Sequence, residues 1–144
     1  MRGESGLNIV LVLTNFSKPS ENAITKAIYT LQGAERFLLV TIIPSTYSHF
    51  WNHPNTEVDK IAIGKTSEKL GDFLSSIKIP ITNKIKVEIM EGDPLEKLLE
   101  LSNDNMADVI VLQYPGGFRL RDLAARNLAK KVISRSRVPI MVVN

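Results

Sequence analysis

The sequence predicts an α/β domain, a parallel sheet with helices on both faces, and three observations carry that expectation. Continuous apolar runs of strand length occur at residues 8–14 (NIVLVLT), 37–43 (FLLVTII) and 108–112 (DVIVL), as in strands covered on both sides. Between them lie segments whose apolar residues recur at helical spacing. The two patterns alternate along the chain, which calls for right-handed crossovers rather than hairpins.

The first run ends at Asn15, Phe16 and Ser17. Ser17 suits a helix cap, and Pro19 is tolerated in the first turn that follows. Ala23, Ile24, Ala27, Ile28 and Leu31 form the apolar face of this helix, with Gly33 as its stop. The second strand, 37–43, is closed by Pro44. Residues 45–55 (STYSHFWNHPN) are the least regular part and hold Trp51, His49 and His53. Pro54 and Asn55 argue for a loop there, a lid over a pocket or part of an interface.

Helical spacing returns at residues 56–77 through Val58, Ile61, Ala62, Leu70, Phe73, Leu74 and Ile77, weakened by Gly64 and Gly71. The third strand, 84–90 (KIKVEIM), alternates charged and apolar residues, so one face is wet and the strand belongs at or near a sheet edge. In 91–94 (EGDP), Asp93 is placed to cap a helix, Pro94 to occupy its first position and Glu96 to complete a capping box. Leu95, Leu98, Leu99 and Met106 supply that helix's buried stripe. After the fourth strand, 108–112, a helix from about residue 120 carries Leu120, Leu123, Ala124, Leu128 and Val132 inward. Lys130, Lys131 and Arg135 suit the negative end of its dipole. Residues 138–143 (VPIMVV) close the fold. Five strands alternate with four helices, and no break in composition separates a second domain, so residues 1–144 are expected to form one unit.

Composition narrows the function classes. The chain has 144 residues, 44% apolar and 23% charged, enough to bury a core without staples. Cysteine is absent, which removes disulfides, thiolate metal sites and cysteine nucleophiles. His49 and His53 are the only imidazoles, so a zinc site would have to recruit carboxylates, and none is expected. A net charge of +3 is modest, and the surface is neither basic nor aromatic enough for nucleic acid. No apolar run reaches the roughly 18 residues that span a bilayer. Residues 1–8 (MRGESGLN) lack the apolar core of a signal peptide. The expectation is a cytoplasmic protein with neither a membrane nor a nucleic-acid partner.

In sheets of this kind, ligands bind beyond the carboxyl ends of the strands, where the strand order reverses. The loops after the first and fourth strands are therefore the candidates, with Asn15 on one and residues 113–119 on the other. Catalysis finds little support there. No activated nucleophile is arranged, neither histidine has an evident partner, and Asp93 has a sufficient task as a cap. Asp122, the one carboxylate near the second loop, suits the positive end of its helix.

Three segments resemble the universal stress protein family. VLTNFSKPSENAITKAI (12–28) is similar to its opening strand and helix, in which an aspartate usually stands where Asn15 is here. EGDPLEKLLELSNDNMADVIVL (91–112) matches its third helix and fourth strand, and VPIMVVN (138–144) resembles its closing strand. The resemblance covers nearly the whole chain. It implies a single doubly wound, Rossmann-like α/β domain with a five-stranded parallel sheet in the order 3-2-1-4-5. It also implies pairing of many members as homodimers through the last strand, and a role in stress survival and regulation rather than a defined reaction.

Members of the family that bind ATP carry a glycine, two residues, a glycine, nine residues, then a glycine followed by serine or threonine. The matching positions here are Gln113, Gly116, Arg126 and Asn127, so Gly116 alone is kept. Small residues let backbone N–H groups approach phosphate oxygens, and a hydroxyl completes the cradle. A glutamine or arginine side chain occupies that space, and Asn15 removes a charge expected to help hold the nucleotide. The candidate nucleotide or anion pocket comprises Thr14, Asn15, Gly92, Gln113, Gly116, Gly117, Arg126 and Asn127. Arg119, Arg121 and Arg126 could grip an anion through guanidinium forks. A solvated helix face, with Arg126 in an internal ion pair, is preferred, because residues 119 and 121 cannot share a face of a regular helix. Asn127, among Leu123, Ala124 and Leu128, is expected to be partly buried and hydrogen-bonded to a neighbouring loop. The sequence thus points to a non-enzymatic, dimeric stress-protein module whose apolar last strand, with Val138 and Val143, pairs with a second copy, and with no cofactor expected. The alternative is a sensor of ATP or another adenine nucleotide, over which the Trp51 loop would close.

Overall fold

The computed structural model describes residues 8–15, 18–43, 68–69, 71–72, 75, 84–104, 107–114 and 123–143, of residues 18 and 19 the backbone alone. In chain order the elements are β1 (Ile9–Leu13), α1 (Lys18–Thr30), β2 (Arg36–Ile43), β3 (Ile85–Glu91), α2 (Pro94–Asn103), β4 (Val109–Gln113), α3 (Leu123–Arg135) and β5 (Ile140–Val143). All five strands are parallel, in the order β3-β2-β1-β4-β5, as the resemblance implies. The chain runs outward from β1 to β3, then returns to β1's other side for β4 and β5, so the order reverses between β1 and β4.

Three helices have defined bounds among the described residues. Within the stretch expected as the second of four, Glu68, Lys69, Gly71, Asp72 and Ser75 are helical. The rest of that stretch and the loop with His49, Trp51 and His53 lie outside the described residues.

Strand alternation divides the core between the two faces of the sheet. Val10, Val12, Phe37, Leu39, Val109 and Val111 pack with Ala23, Ile24, Ala27 and Ile28 of α1. Leu11, Leu38, Val40, Ile110 and Leu112 face the other way, onto Leu98 and Leu101 of α2 and Ala129 and Val132 of α3. Residues 10–12 are wholly buried, which is why this run shows no polar alternation. Each such aliphatic side chain adds about 1.5–3 kcal/mol relative to exposure.

β3 is the edge strand that its charges foretold, with Lys86 and Glu88 paired at 3.3 Å. Asp108 ties the start of β1 to that of β4: its Oδ2 accepts the N–H of Asn8 at 2.8 Å and of Ile9 at 3.1 Å. Asp93 caps α2 as its sequence predicts, accepting the Glu96 N–H at 3.0 Å with Pro94 in the first turn.

Other local expectations need correction. α1 ends at Thr30, and Gly33 falls in the turn beyond it. In α2, Leu101 and Ser102 are buried with Leu98, whereas Leu99 is half-buried. In α3, Leu123 is 49% exposed and Ala124 is exposed; the inward set is Leu128, Ala129 and Val132. No helix among the described residues is long and apolar enough to cross a membrane.

Candidate functional site

The carboxyl ends of β1 and β4 lie side by side where the strand order reverses, and residues at and beyond them line a crevice. Thr14 continues the β1 ladder, its N–H donating to the Val40 carbonyl at 2.9 Å. Its own carbonyl accepts the buried Thr41 hydroxyl at 3.0 Å. These bonds fix Thr14 at 3% exposure and deliver the exposed Asn15 to the rim. On the opposite side Gln113 ends β4, and the next N–H, that of Tyr114, donates to the Val143 carbonyl at 2.8 Å.

Ser20, buried in the first turn of α1, joins the two sides. Its Oγ lies 2.6 Å from Asn15 Oδ1 and 2.6 Å from Gln113 Oε1, and it accepts the Asn15 N–H at 3.1 Å. A hydroxyl has one proton to give, so one amide oxygen receives it. The other amide satisfies the contact by turning its NH₂ toward Oγ, an exchange of ends open to any Asn or Gln side chain. The outcome is a chain of neutral polar groups, Asn15–Ser20–Gln113, across the switch point.

Behind it lies a crevice of about 160 Å³. Leu13, Ile42, Pro94, Leu112, Ala125, Leu128 and Ala129 make its apolar walls, and Thr14, Asn15, Ser20 and Gln113 its polar one. None of the described lining residues carries a charge.

Of the residues expected at a pocket, Thr14, Asn15 and Gln113 meet here. Gly92 lies near it: its N–H donates to the Ile43 carbonyl at 3.0 Å, two residues before Pro94 on the wall. Arg126 and Asn127 are not among the described lining residues. Each residue of a helix is turned by about 100° from the last, so with Ala125, Leu128 and Ala129 facing the crevice, Arg126 is carried to the flank away from α2, where it is half-buried. Asn127 is exposed, contrary to expectation, on a shallow groove shared with Asp93, Leu95, Ala124 and Lys131. Gly116, Gly117, Arg119, Arg121 and Asp122 lie outside the described residues. The sequence reading missed Ser20, and also Pro94 and the α3 residues that form the wall. Ser20's place five residues after Asn15, at a helix start, is the signal that would have found it.

Comparison with known proteins agrees with this architecture. The family model described as "Universal stress protein family" matches residues 6–144. The universal stress protein MJ0577 of Methanocaldococcus jannaschii is 25% identical over 150 aligned residues, covering 93% of each chain. The solved structure of the MJ0577 protein superimposes with a TM-score of 0.69, covering 94% of both chains at 25% identity. A universal stress protein solved in complex with cAMP shares the fold at 18% identity, with a TM-score of 0.62 over 96% of this chain and 97% of that one. With the five-stranded order 3-2-1-4-5 and a family match across almost its whole length, this chain belongs to the universal stress protein family.

Proposed function

We propose that the protein is a non-enzymatic regulatory module of the stress response, working in the cytoplasm as a homodimer of one-domain subunits (residues 1–144) and not holding ATP in the manner of the family's glycine-rich members. The observation that carries this is Gln113. It stands where the first glycine of the phosphate loop would be, and its side chain reaches across the switch point to Ser20 at 2.6 Å. A ligand whose phosphates approached the backbone there would have to displace the amide and break its bond to Ser20. Dimerisation is supported by β5, an edge strand whose Val142 is 41% exposed.

Thermal unfolding with ATP and Mg²⁺, beside AMP, ADP and phosphate, tests this. A ligand at about 100 times its Kd adds about 2.7 kcal/mol of apparent stability, several degrees for a chain of this length. The expected result is no shift with any of the four. A second reading, a sensor for an adenine nucleotide or another anion, draws support from the crevice at the strand reversal and from the relative in complex with cAMP. A shift with ATP but not with phosphate would favour that sensor over the first reading.

A further inference from the structure

The crevice behind Ser20 has a composition that selects among ligands. Its volume, about 160 Å³, is close to that of cavities of roughly 150 Å³ that admit benzene. Seven of its eleven described lining residues are apolar and the other four are neutral hydrogen-bonding residues. A charged group taken into such a place loses hydration with no opposite charge among the described lining residues to offset it. The polar wall, by contrast, is suited to a neutral edge. Ser20 Oγ engages one end of the Gln113 amide, which leaves the other end for a ligand, and a carboxamide, carrying both a donor and an acceptor, can pair with whichever end that is.

We propose that the crevice binds a small uncharged ring bearing a carboxamide-like edge, with the ring between Leu13, Ile42, Leu112 and Leu128 and its edge paired with Gln113. This rests on the reading that ATP is not held in the family's usual way, and it names what the altered site takes instead. Gln113 is then a specificity-determining residue. Ser20 is a positioning residue that acts through it.

The test uses the full chain with ¹³C-labelled Leu, Ile and Ala methyls, titrated with benzamide, benzoate, toluene and ATP. Benzamide, with nine heavy atoms, is expected to move the methyl signals of Leu13, Ile42, Leu112 and Leu128 with a Kd on the order of a millimolar. Benzoate, its charged isostere, is expected to bind at least about tenfold more weakly, since nothing on the described wall offsets its charge. The positive end of α1 adjoins the wall through Ser20 and would favour an anion, so this arm decides between the two effects. Ser20→Ala should weaken benzamide about tenfold and leave toluene unchanged. Gln113→Leu, which keeps similar bulk, should do the same if loss of the buried hydroxyl disturbs folding. Ala125→Leu, which fills the wall from a helical position, should abolish binding of every ring.

Benzoate or toluene binding as tightly as benzamide would overturn the proposal, as would benzamide affinity unchanged in both amide-wall variants. Silence of these methyls toward benzamide and ATP together would overturn it alone. A response to ATP would overturn the preceding functional reading and, with it, the exclusion of charged ligands.

Discussion

Gly92 joins β3 to the cap of α2 with φ at +144°, a backbone conformation that side chains rarely adopt. A Cβ added there would also lie 2.8 Å from Lys97 Cε. These two costs differ in size. Lys97 presents the far end of a flexible chain and swings away, whereas the backbone is held by the Gly92 N–H bond to Ile43 at 3.0 Å and by the Asp93 cap. Gly92→Ala is therefore expected to destabilise by about 1–3 kcal/mol, read as a fall of several degrees in the unfolding midpoint. Adding Lys97→Ala should recover little of it; full recovery would show that the clash, not the backbone, was the cause. Glycine here was legible as a turn residue because EGDP is a local signal. Ser20 had a local signal in its place at a helix start five residues after Asn15, but its partner Gln113 did not, since the parallel pairing of β1 with β4 brings the two together from 93 residues apart. Arg126 and Asn127 illustrate a related point: a motif alignment fixes positions along the chain but says nothing of the helix rotation, which here leaves them off the described lining of the crevice.

Strands were easier to recognise than helix faces in this molecule. A strand buried on both sides announces itself by an unbroken apolar run, and the three such runs all became central or near-central strands. The face of α3 could not be fixed that way, because Ala124, Ala125 and Ala129 are compatible with inside or outside and leave two stripes of nearly equal weight. The sheet chose the one containing Leu128, Ala129 and Val132, and Leu123 was left 49% exposed. The stability consequences separate the two faces. Val132 is wholly buried, so Val132→Ala should cost about 2 kcal/mol through lost burial and an incompletely closed cavity. Leu123→Ser should stay within about 0.5 kcal/mol of the parent protein. Urea unfolding of both variants compares them directly; equal losses would mean that α3 is rotated from the position described. α2 raised no such ambiguity at its start, where the cap is written into four consecutive residues.

The sheet as a whole has two edges, and they are unalike. β3 carries Lys86 and Glu88, the kind of charged edge that discourages pairing with another chain. β5 at the opposite edge is IMVV, without a charge, and its neighbour α3 leaves Ile133 49% exposed near the end of the helix. An uncharged apolar edge is the one that a second copy can extend, and a two-fold axis would set the paired strands antiparallel, each offering the same surface. The proposed homodimer therefore predicts an asymmetry between the edges in sedimentation velocity. The parent protein is expected to sediment with twice the monomer mass. Val142→Lys should shift it to the monomer, because two lysines meeting across the axis would be buried beside each other without counter-charge. Lys86→Ala on the far edge should leave the dimer intact. A parent protein that sediments as a monomer removes the dimer reading altogether, and a Val142→Lys dimer of unchanged affinity moves the contact off β5. The crevice opens at the carboxyl ends of β1 and β4, and β5 lies beside β4, so Gln113 connects the two: it is one residue of the polar wall and, through the 2.8 Å bond from the adjoining Tyr114 to Val143, lies next to the end of the pairing edge. If occupancy of the crevice shifts Gln113, this bond is the shortest route by which the dimer would sense it, and a ligand that binds the crevice should then change the Kd of dimerisation by the same factor as dimerisation changes its own.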